Sequence, residues 1–162
     1  MTRRTGEGEI DPARLGELLR SEVPLFRALK EQDLAQLLPY FRGCRLGEGQ
    51  ELWHEGDISD QLGYLLSGRL QLKKDTEFKD KPVVVGVLSG GALAGELSFL
   101  EEGRRPLTAA ALEDCQLALF SRRDYLRLEE TRPDLALLLV KNILLAVSLR
   151  LQKSYERLAA IF

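Results

Sequence analysis

The sequence predicts a mixed fold: an antiparallel β-roll of about eight short strands, jelly-roll-like (a double-stranded β-helix), with N-terminal helices and one long C-terminal helix. Three observations predict it. Eleven of the 14 glycines lie between Gly43 and Gly103, where they separate short runs with strand character. Helical spacing of apolar residues precedes this region and returns after it. The length of 162 residues suits one domain with a substantial core.

Residues 1–22 are predicted to form an N-terminal extension with a short helix. Asp11 is a good N-cap, and Pro12 suits the first helical position. The apolar face of this helix is formed by Leu15, Leu18 and Leu19. A second short helix is expected around Leu34, Leu37 and Leu38, ending near Pro39.

Residues 23–130 are predicted to form the β-roll domain. The strand runs are 50–54, 63–66, 69–73, 83–88, 108–112 and 117–120. Their regular spacing favours a roll over a set of unrelated loops. The expected core residues are Leu52, Leu65, Leu66, Leu70, Leu72, Val85, Val87, Leu97, Leu112, Leu117 and Leu119.

Residues 131–162 are predicted to form a long C-terminal helix, preceded by a shorter one that Ser121 caps. The 24 residues from Leu135 to Leu158 contain no Gly or Pro. They would span roughly 36 Å as a helix. The first half is apolar almost all round, so it needs cover on two sides, of which the roll supplies one. The alternative is a helix packed wholly on its own domain.

A heptad pattern predicts what covers the other side of this helix. Leucines recur every seven residues, and valines occupy the partner row. The leucines are Leu137, Leu144, Leu151 and Leu158, and the valines are Val140 and Val147. The pattern therefore predicts a parallel homodimer.

Composition excludes several classes of function. The net charge of −2 gives no basic excess for nucleic acid. No run of about 18 uncharged apolar residues could cross a membrane. The charged N-terminus is not followed by an apolar stretch, so a signal peptide is not expected and the cytoplasm is the expected location.

Metal and catalytic chemistry are also not expected. Cys44 and Cys115 lie far apart and are interpreted as reduced packing residues. His54 is the only histidine, and no residues at recognisable spacing would complete a metal site or a nucleophile pair with it. No catalytic or metal-binding residue is therefore assigned.

Three segments of the sequence resemble segments of a known protein family. Residues 47–57 read Gly-Glu-Gly-Gln-Glu-Leu-Trp-His-Glu-Gly-Asp, residues 64–70 read Tyr-Leu-Leu-Ser-Gly-Arg-Leu, and residues 88–100 read Leu-Ser-Gly-Gly-Ala-Leu-Ala-Gly-Glu-Leu-Ser-Phe-Leu. Their order and spacing resemble the cyclic nucleotide-binding domain of catabolite-activator-like regulators. The resemblance covers about residues 24–158, and the last segment looks like that family's phosphate-binding cassette.

The resemblance implies a ligand and a set of contacts. The candidate ligand is a cyclic nucleotide, cAMP or cGMP, and no other cofactor is assigned. Gly95 would allow a close backbone approach to the cyclic phosphate. Glu96 would accept the ribose hydroxyl, and Leu97 and Ser98 continue the cassette. Without the resemblance, Glu96 is equally a carboxylate at the start of a short helix.

The sequence departs from the family where an arginine should meet the phosphate. Family members have Pro-Arg, then Ser, Thr or Ala, then Ala; residues 103–109 read Gly-Arg-Arg-Pro-Leu-Thr-Ala. Thr108 and Ala109 fall in place, but Leu107 occupies the arginine position. Either Arg104 or Arg105 reaches back to the phosphate, or the pocket no longer binds an ordinary cyclic nucleotide. If neither arginine reaches the phosphate, Arg104 and Arg105 are expected to lie in a solvated loop.

The resemblance places Ser154 and Tyr155 near the base, partly across the dimer. Activator-like regulators continue into a helix-turn-helix that reads DNA. This sequence stops at Phe162 and has no such element; the initiating Met favours an entire chain. A stand-alone sensor is therefore expected, acting through the dimer helix or an unidentified protein partner. The alternatives are a fold that binds no nucleotide and serves dimerisation or protein interaction, and the sensor half of a transcription regulator.

Overall fold

A computed structural model describes residues 8–77, 81–99 and 102–161 and has the predicted order of helices, β-roll and long helix. The N-terminal helices are α1 (Pro12–Glu22), α2 (Pro24–Arg27) and α3 (Glu31–Leu37), followed by a 3₁₀ turn (Leu38–Tyr40). The strands are β1 (Phe41–Leu46), β2 (Glu51–Trp53), β3 (Ile58–Ser59), β4 (Gln61–Ser67), β5 (Leu70–Lys74), β6 (Val83–Leu88), β7 (Leu93–Ala94), β8 (Gly103–Arg104), β9 (Thr108–Ala111) and β10 (Cys115–Ser121). A 3₁₀ turn (Glu96–Ser98) follows β7, and the chain continues into α4 (Arg122–Thr131) and α5 (Pro133–Ala159).

The strands form a roll of two four-stranded sheets and a short ribbon, all antiparallel. The sheet orders are β1-β10-β4-β7 and β2-β9-β5-β6, and β3 pairs with β8. The β-roll prediction is therefore confirmed. β1 was not among the predicted strands. Its Gly43 packs directly on the N-terminal segment, since a Cβ there would lie 2.4 Å from Ile10 Cβ.

Two hydrophobic clusters form the core. One fills the roll between the sheets, and the other lies between one sheet and the helices α1, α2, α3, α4 and α5. Of the expected core residues, those buried are Leu52, Leu65, Leu66, Leu70, Leu117 and Leu119. Leu72 and Leu112 are partly buried.

Three expected core residues are exposed, and there the prediction was wrong. Val85 and Val87 lie on β6, which is the edge strand of its sheet. Val87 pairs with Gln71 on the outer face of that sheet, and Val85 shares its side of the strand. Leu97 points to solvent from the 3₁₀ turn after β7.

Both predicted helix caps are confirmed. Asp11 Oδ2 accepts the Arg14 N–H at 3.2 Å. Ser121 Oγ accepts the Asp124 N–H at 3.0 Å. These contacts satisfy backbone donors that a helix start leaves without intrahelical partners.

Helix α5 is covered by the roll on one side only. Its buried residues are Leu135, Ala136, Leu139 and Ile143. Tyr64 on β4 donates a hydrogen bond to Asn142 Oδ1 at 2.7 Å, which ties the helix to the sheet. The four heptad leucines are between 49% and 65% exposed. The helix is therefore not packed wholly on its own domain. Among the described residues, no helix is both long and apolar enough to cross a membrane.

Candidate ligand-binding site

The site is built around Gly95, where β7 ends and the 3₁₀ turn begins. Gly95 has φ +88°, a left-handed conformation that glycine adopts without strain. A Cβ at this position would lie 2.7 Å from Arg105 Nη1, 2.9 Å from Trp53 Cη2 and 3.0 Å from the Gln61 carbonyl oxygen. The absence of a side chain thus brings the Gly95 backbone against the Arg105 guanidinium.

The backbone around β8 directs Arg105 inward and Arg104 outward. The Arg105 N–H donates to the Asp57 carbonyl at 2.8 Å, and the Gly56 N–H donates to the Arg105 carbonyl at 2.9 Å. Because successive side chains of an extended segment point to opposite sides, only one of the two arginines can enter the roll. Arg104 is exposed and donates to the Gly56 carbonyl at 2.8 Å. Arg105 is 3% exposed.

The Arg105 guanidinium is buried and only partly hydrogen-bonded. Its Nη2 donates to the Gln61 carbonyl at 2.6 Å, and its Cζ lies 3.7 Å from the centroid of the Trp53 ring. Its Nε and Nη1 are buried and have no hydrogen-bond partner among the described residues. Unsatisfied buried donors are costly, and an anion that accepts a hydrogen bond from either of these two would lower that cost.

Arg105 keeps its positive charge at neutral pH. Burial lowers the pKa of Arg105 to about 10, against the opposing influence of Asp60, Asp57 and Glu96. This pKa is still far above neutrality. The site therefore presents a desolvated cation with free donors.

Glu96 is held by a residue that the sequence did not single out. Its side chain is 2% exposed and forms an ion pair with Arg150 of α5. Arg150 also donates through Nη2 to the Leu93 carbonyl at 2.6 Å. Arg150 lies seven residues, or two helical turns, after the buried Ile143 and therefore on the same side of α5. A charged residue on this buried side was the sequence signal that could have identified Arg150.

The remaining predicted site residues differ in their burial and contacts. Thr108 is buried, and its Oγ1 accepts the Glu55 N–H at 2.9 Å. Ala109 is buried on β9 in register with Trp53. Leu107 is partly buried in the connection before β9. The exposed Leu97 does not line the cluster, and the Ser98 side chain lies outside the described residues.

The two predicted base contacts on α5 face different ways. Ser154 lies one turn beyond Arg150, is half-buried, and donates to the Arg150 carbonyl at 3.0 Å. Tyr155 is exposed. Its spacing from Leu151 and Leu144 puts it on the same side of the helix as the heptad leucines.

The other candidate groups are His54 and the two cysteines. His54 is exposed, and its Nδ1 lies 3.2 Å from Glu51 Oε2 and 3.5 Å from Thr108 Oγ1. Cys44 and Cys115 are buried and free, as a packing role requires, and burial raises the pKa of both thiols. Within the described part of the chain, no three His, Cys, Asp or Glu residues are grouped so that they could hold a metal ion.

Comparisons with known proteins show what this chain is similar to. The family model for the cyclic nucleotide-binding domain matches residues 44–132, more than half of the chain. The cyclic AMP receptor protein of Thermus thermophilus is 32% identical over 124 residues, which are 74% of this chain and 57% of that protein. The lysophospholipase nte1 of Aspergillus niger is 33% identical over 135 residues, which are 78% of this chain and 9% of that enzyme.

A solved structure gives the same fold. The crystal structure of a cyclic nucleotide-binding domain from Methylobacillus flagellatus superposes with a TM-score of 0.79 at 22% identity, covering 93% of this chain and 84% of that one. At this identity the likeness concerns the fold. The chain spans just over half the length of the Thermus protein and under a tenth of the lysophospholipase.

Proposed function

This chain belongs to the cyclic nucleotide-binding domain family, and we propose that it is a cytoplasmic, non-enzymatic regulatory module that binds cAMP or cGMP in its β-roll. The observation that carries this proposal is the buried Arg105 guanidinium, whose Nε and Nη1 have no partner among the described residues. A cyclic phosphodiester carries one negative charge and oxygen acceptors. Charge-assisted hydrogen bonds of this kind contribute about 1.5–3 kcal/mol each.

Arg105 takes the role that the family gives to an arginine two positions further along this chain. The free donors of Arg105 support phosphate binding although Leu107 carries no charge. The absence of an arginine at position 107 therefore does not imply that the pocket has lost nucleotide binding. Arg104 is assigned to the surface, because it is exposed and bonded to the Gly56 carbonyl.

Glu96 and Arg150 together form the proposed ribose contact. Arg150 donates to Glu96 Oε1, and Oε2 has no hydrogen bond to a described residue. Oε2 can accept the ribose 2′-hydroxyl while Arg150 holds the carboxylate in place. Thr108 is the second proposed phosphate contact. Its hydroxyl accepts the Glu55 N–H, and its proton can be donated to the phosphate in place of His54 Nδ1, which lies 3.5 Å away.

Arg150 also connects the proposed ligand pocket to α5, the helix through which we propose that ligand binding is signalled. It joins the cassette at Glu96 and Leu93 to α5, whose exposed side carries the heptad leucines. A ligand changes the output only if it binds two arrangements of this helix with different affinity. We propose a parallel homodimer through that side of α5, with Ser154 and Tyr155 as candidates for the base contact. A separate protein partner or a DNA-binding segment in a longer protein are alternative outputs.

Calorimetric titration with cAMP, cGMP and cyclic dinucleotides tests the function. We expect one cyclic mononucleotide to bind with a dissociation constant in the micromolar range. The matched control is 5′-AMP, which has the same base and ribose as cAMP but an open phosphate. If no cyclic nucleotide binds at millimolar concentration, the chain is a dimerisation or interaction module instead.

Substitution of Glu96 tests the ribose contact. We expect Glu96→Gln to weaken cAMP binding about tenfold and to leave 2′-deoxy-cAMP binding unchanged, because only cAMP has the hydroxyl that the carboxylate accepts. Arg150→Ala should weaken the same ligand selectively, since Glu96 then loses its orienting partner. Lys153→Ala, which removes an exposed cation three residues further along the same helix, is the control. Equal losses for both ligands would show that Glu96 supports the fold rather than the ribose.

A further inference from the structure

We propose that Trp53 is a positioning residue for the Arg105 clamp, an inference that rests on the proposed function. The guanidinium lies in contact with two surfaces: the indole of Trp53 and the bare backbone of Gly95. Trp53 is itself buried, and its strand β2 pairs with β9. The ring is therefore a fixed part of the roll and not a mobile surface group.

One hydrogen bond alone does not fix the guanidinium. The bond from Nη2 to the Gln61 carbonyl leaves the plane free to rotate about that contact. An arginine side chain has many rotamers, so an unrestrained clamp would lose affinity when it becomes ordered on the ligand. The flat indole face restricts the guanidinium plane before the ligand arrives.

The indole also stabilises the cation without occupying its donors. A carboxylate in place of Trp53 would bond Nε or Nη1 and neutralise the charge that the ligand needs. An aromatic face attracts the cation through its quadrupole and accepts no conventional hydrogen bond. This explains how Arg105 stays buried and charged while two of its donor atoms remain without a partner among the described residues.

Two substitutions separate this role from packing. Trp53→Leu keeps an apolar side chain in the core but removes the π-face, and Trp53→Phe retains a face. In titrations with cAMP and cGMP we expect Trp53→Leu to weaken binding about five- to thirtyfold, the range of a desolvated cation–π contact. Trp53→Phe should stay within about threefold of the wild type. Leu52→Val, a core change in the same strand, is the control that lowers stability without touching the guanidinium.

The proposal is overturned if Trp53→Leu binds like the wild type, or if Trp53→Phe binds as weakly as Trp53→Leu. A second measurement needs no ligand: the Arg105 Nε–H resonance in ¹⁵N-arginine-labelled protein. We expect the indole ring current to shift it upfield, with loss of that shift in Trp53→Leu. An unshifted wild-type resonance would contradict the stacking whether or not Trp53→Leu folds. A shifted resonance in a protein that binds no cyclic nucleotide would instead contradict the proposed function but not the stacking of Arg105 on Trp53.

Discussion

Replacement of Arg105 by methionine is expected to lower cyclic nucleotide affinity by about a hundredfold or more. Loss of one partner from a buried charge pair costs about 2–5 kcal/mol, and each 1.4 kcal/mol is a tenfold change in the dissociation constant. Methionine keeps an unbranched apolar stem of similar shape, so the change removes the charge and the donors with little loss of packing. Calorimetric titration measures the affinity.

The same substitution should leave the ligand-free protein at least as stable as the wild type. Arg105 is buried with Nε and Nη1 unsatisfied among the described residues, and replacement of such a charge by an apolar side chain is often neutral or stabilising. Urea unfolding of the two proteins tests this. Lower stability together with unchanged affinity would mean that Arg105 is a structural residue.

Arg104→Met is the matched control, because Arg104 is the neighbouring residue with the same side chain and an exposed position. We expect its affinity for cyclic nucleotides to stay within about threefold of the wild type, since an exposed charge contributes little. If Arg104→Met loses binding and Arg105→Met does not, the outer arginine is the clamp.

Charges placed in the heptad seam, the row of Leu137, Leu144, Leu151 and Leu158 on α5, are expected to abolish dimerisation. Leu144→Glu combined with Leu151→Glu would bury unpaired carboxylates at the proposed interface, at a cost of about 3–5 kcal/mol each. Light scattering with size exclusion should then report a monomer where the wild type is a dimer. Both leucines are exposed in the single chain, so the double variant should still fold.

Leu145→Glu combined with Leu149→Glu places the same two charges on the same helix. These leucines are also exposed but lie outside the seven-residue repeat. This control should remain dimeric. A dimer that survives the seam substitutions but not the control would move the interface to the other flank of α5.

The sequence predicted local structure well where the signal is local. The caps at Asp11 and Ser121 each depend on residues three positions apart, and both are present. Most strand positions follow from glycine spacing and alternation. The seven-residue leucine repeat of α5 likewise marks a side of the helix that the roll does not cover.

The prediction was incomplete where the outcome depends on pairing between distant segments. Which of Arg104 and Arg105 enters the roll is set by pairing of their backbone with residues 56–59, far away in the chain. The family pattern instead places its arginine directly after Pro106, at Leu107. The position of β6 at a sheet edge, which exposes Val85 and Val87, also depends on strand order.

Arg150 illustrates the same limit at longer range. It contacts Glu96, which lies 54 residues earlier in the sequence, and no local sequence pattern indicates that contact. A sequence-level clue exists only once the buried side of α5 is known, because Arg150 then stands out as a charge among apolar residues. The proposed ribose contact and the proposed route to the dimer helix both depend on this residue.

The most direct test of the central claim is a cyclic nucleotide titration followed through the arginine Nε–H resonances of ¹⁵N-labelled protein, with Arg104→Met and Arg105→Met providing the assignments. The account predicts that the Arg105 resonance shifts with the same dissociation constant as calorimetry gives, because the proposed phosphate contact is made by the Arg105 guanidinium, of which Nε is part. The Arg104 resonance should stay in place. Saturable binding that moves Arg104, or that leaves Arg105 unmoved, would contradict the account.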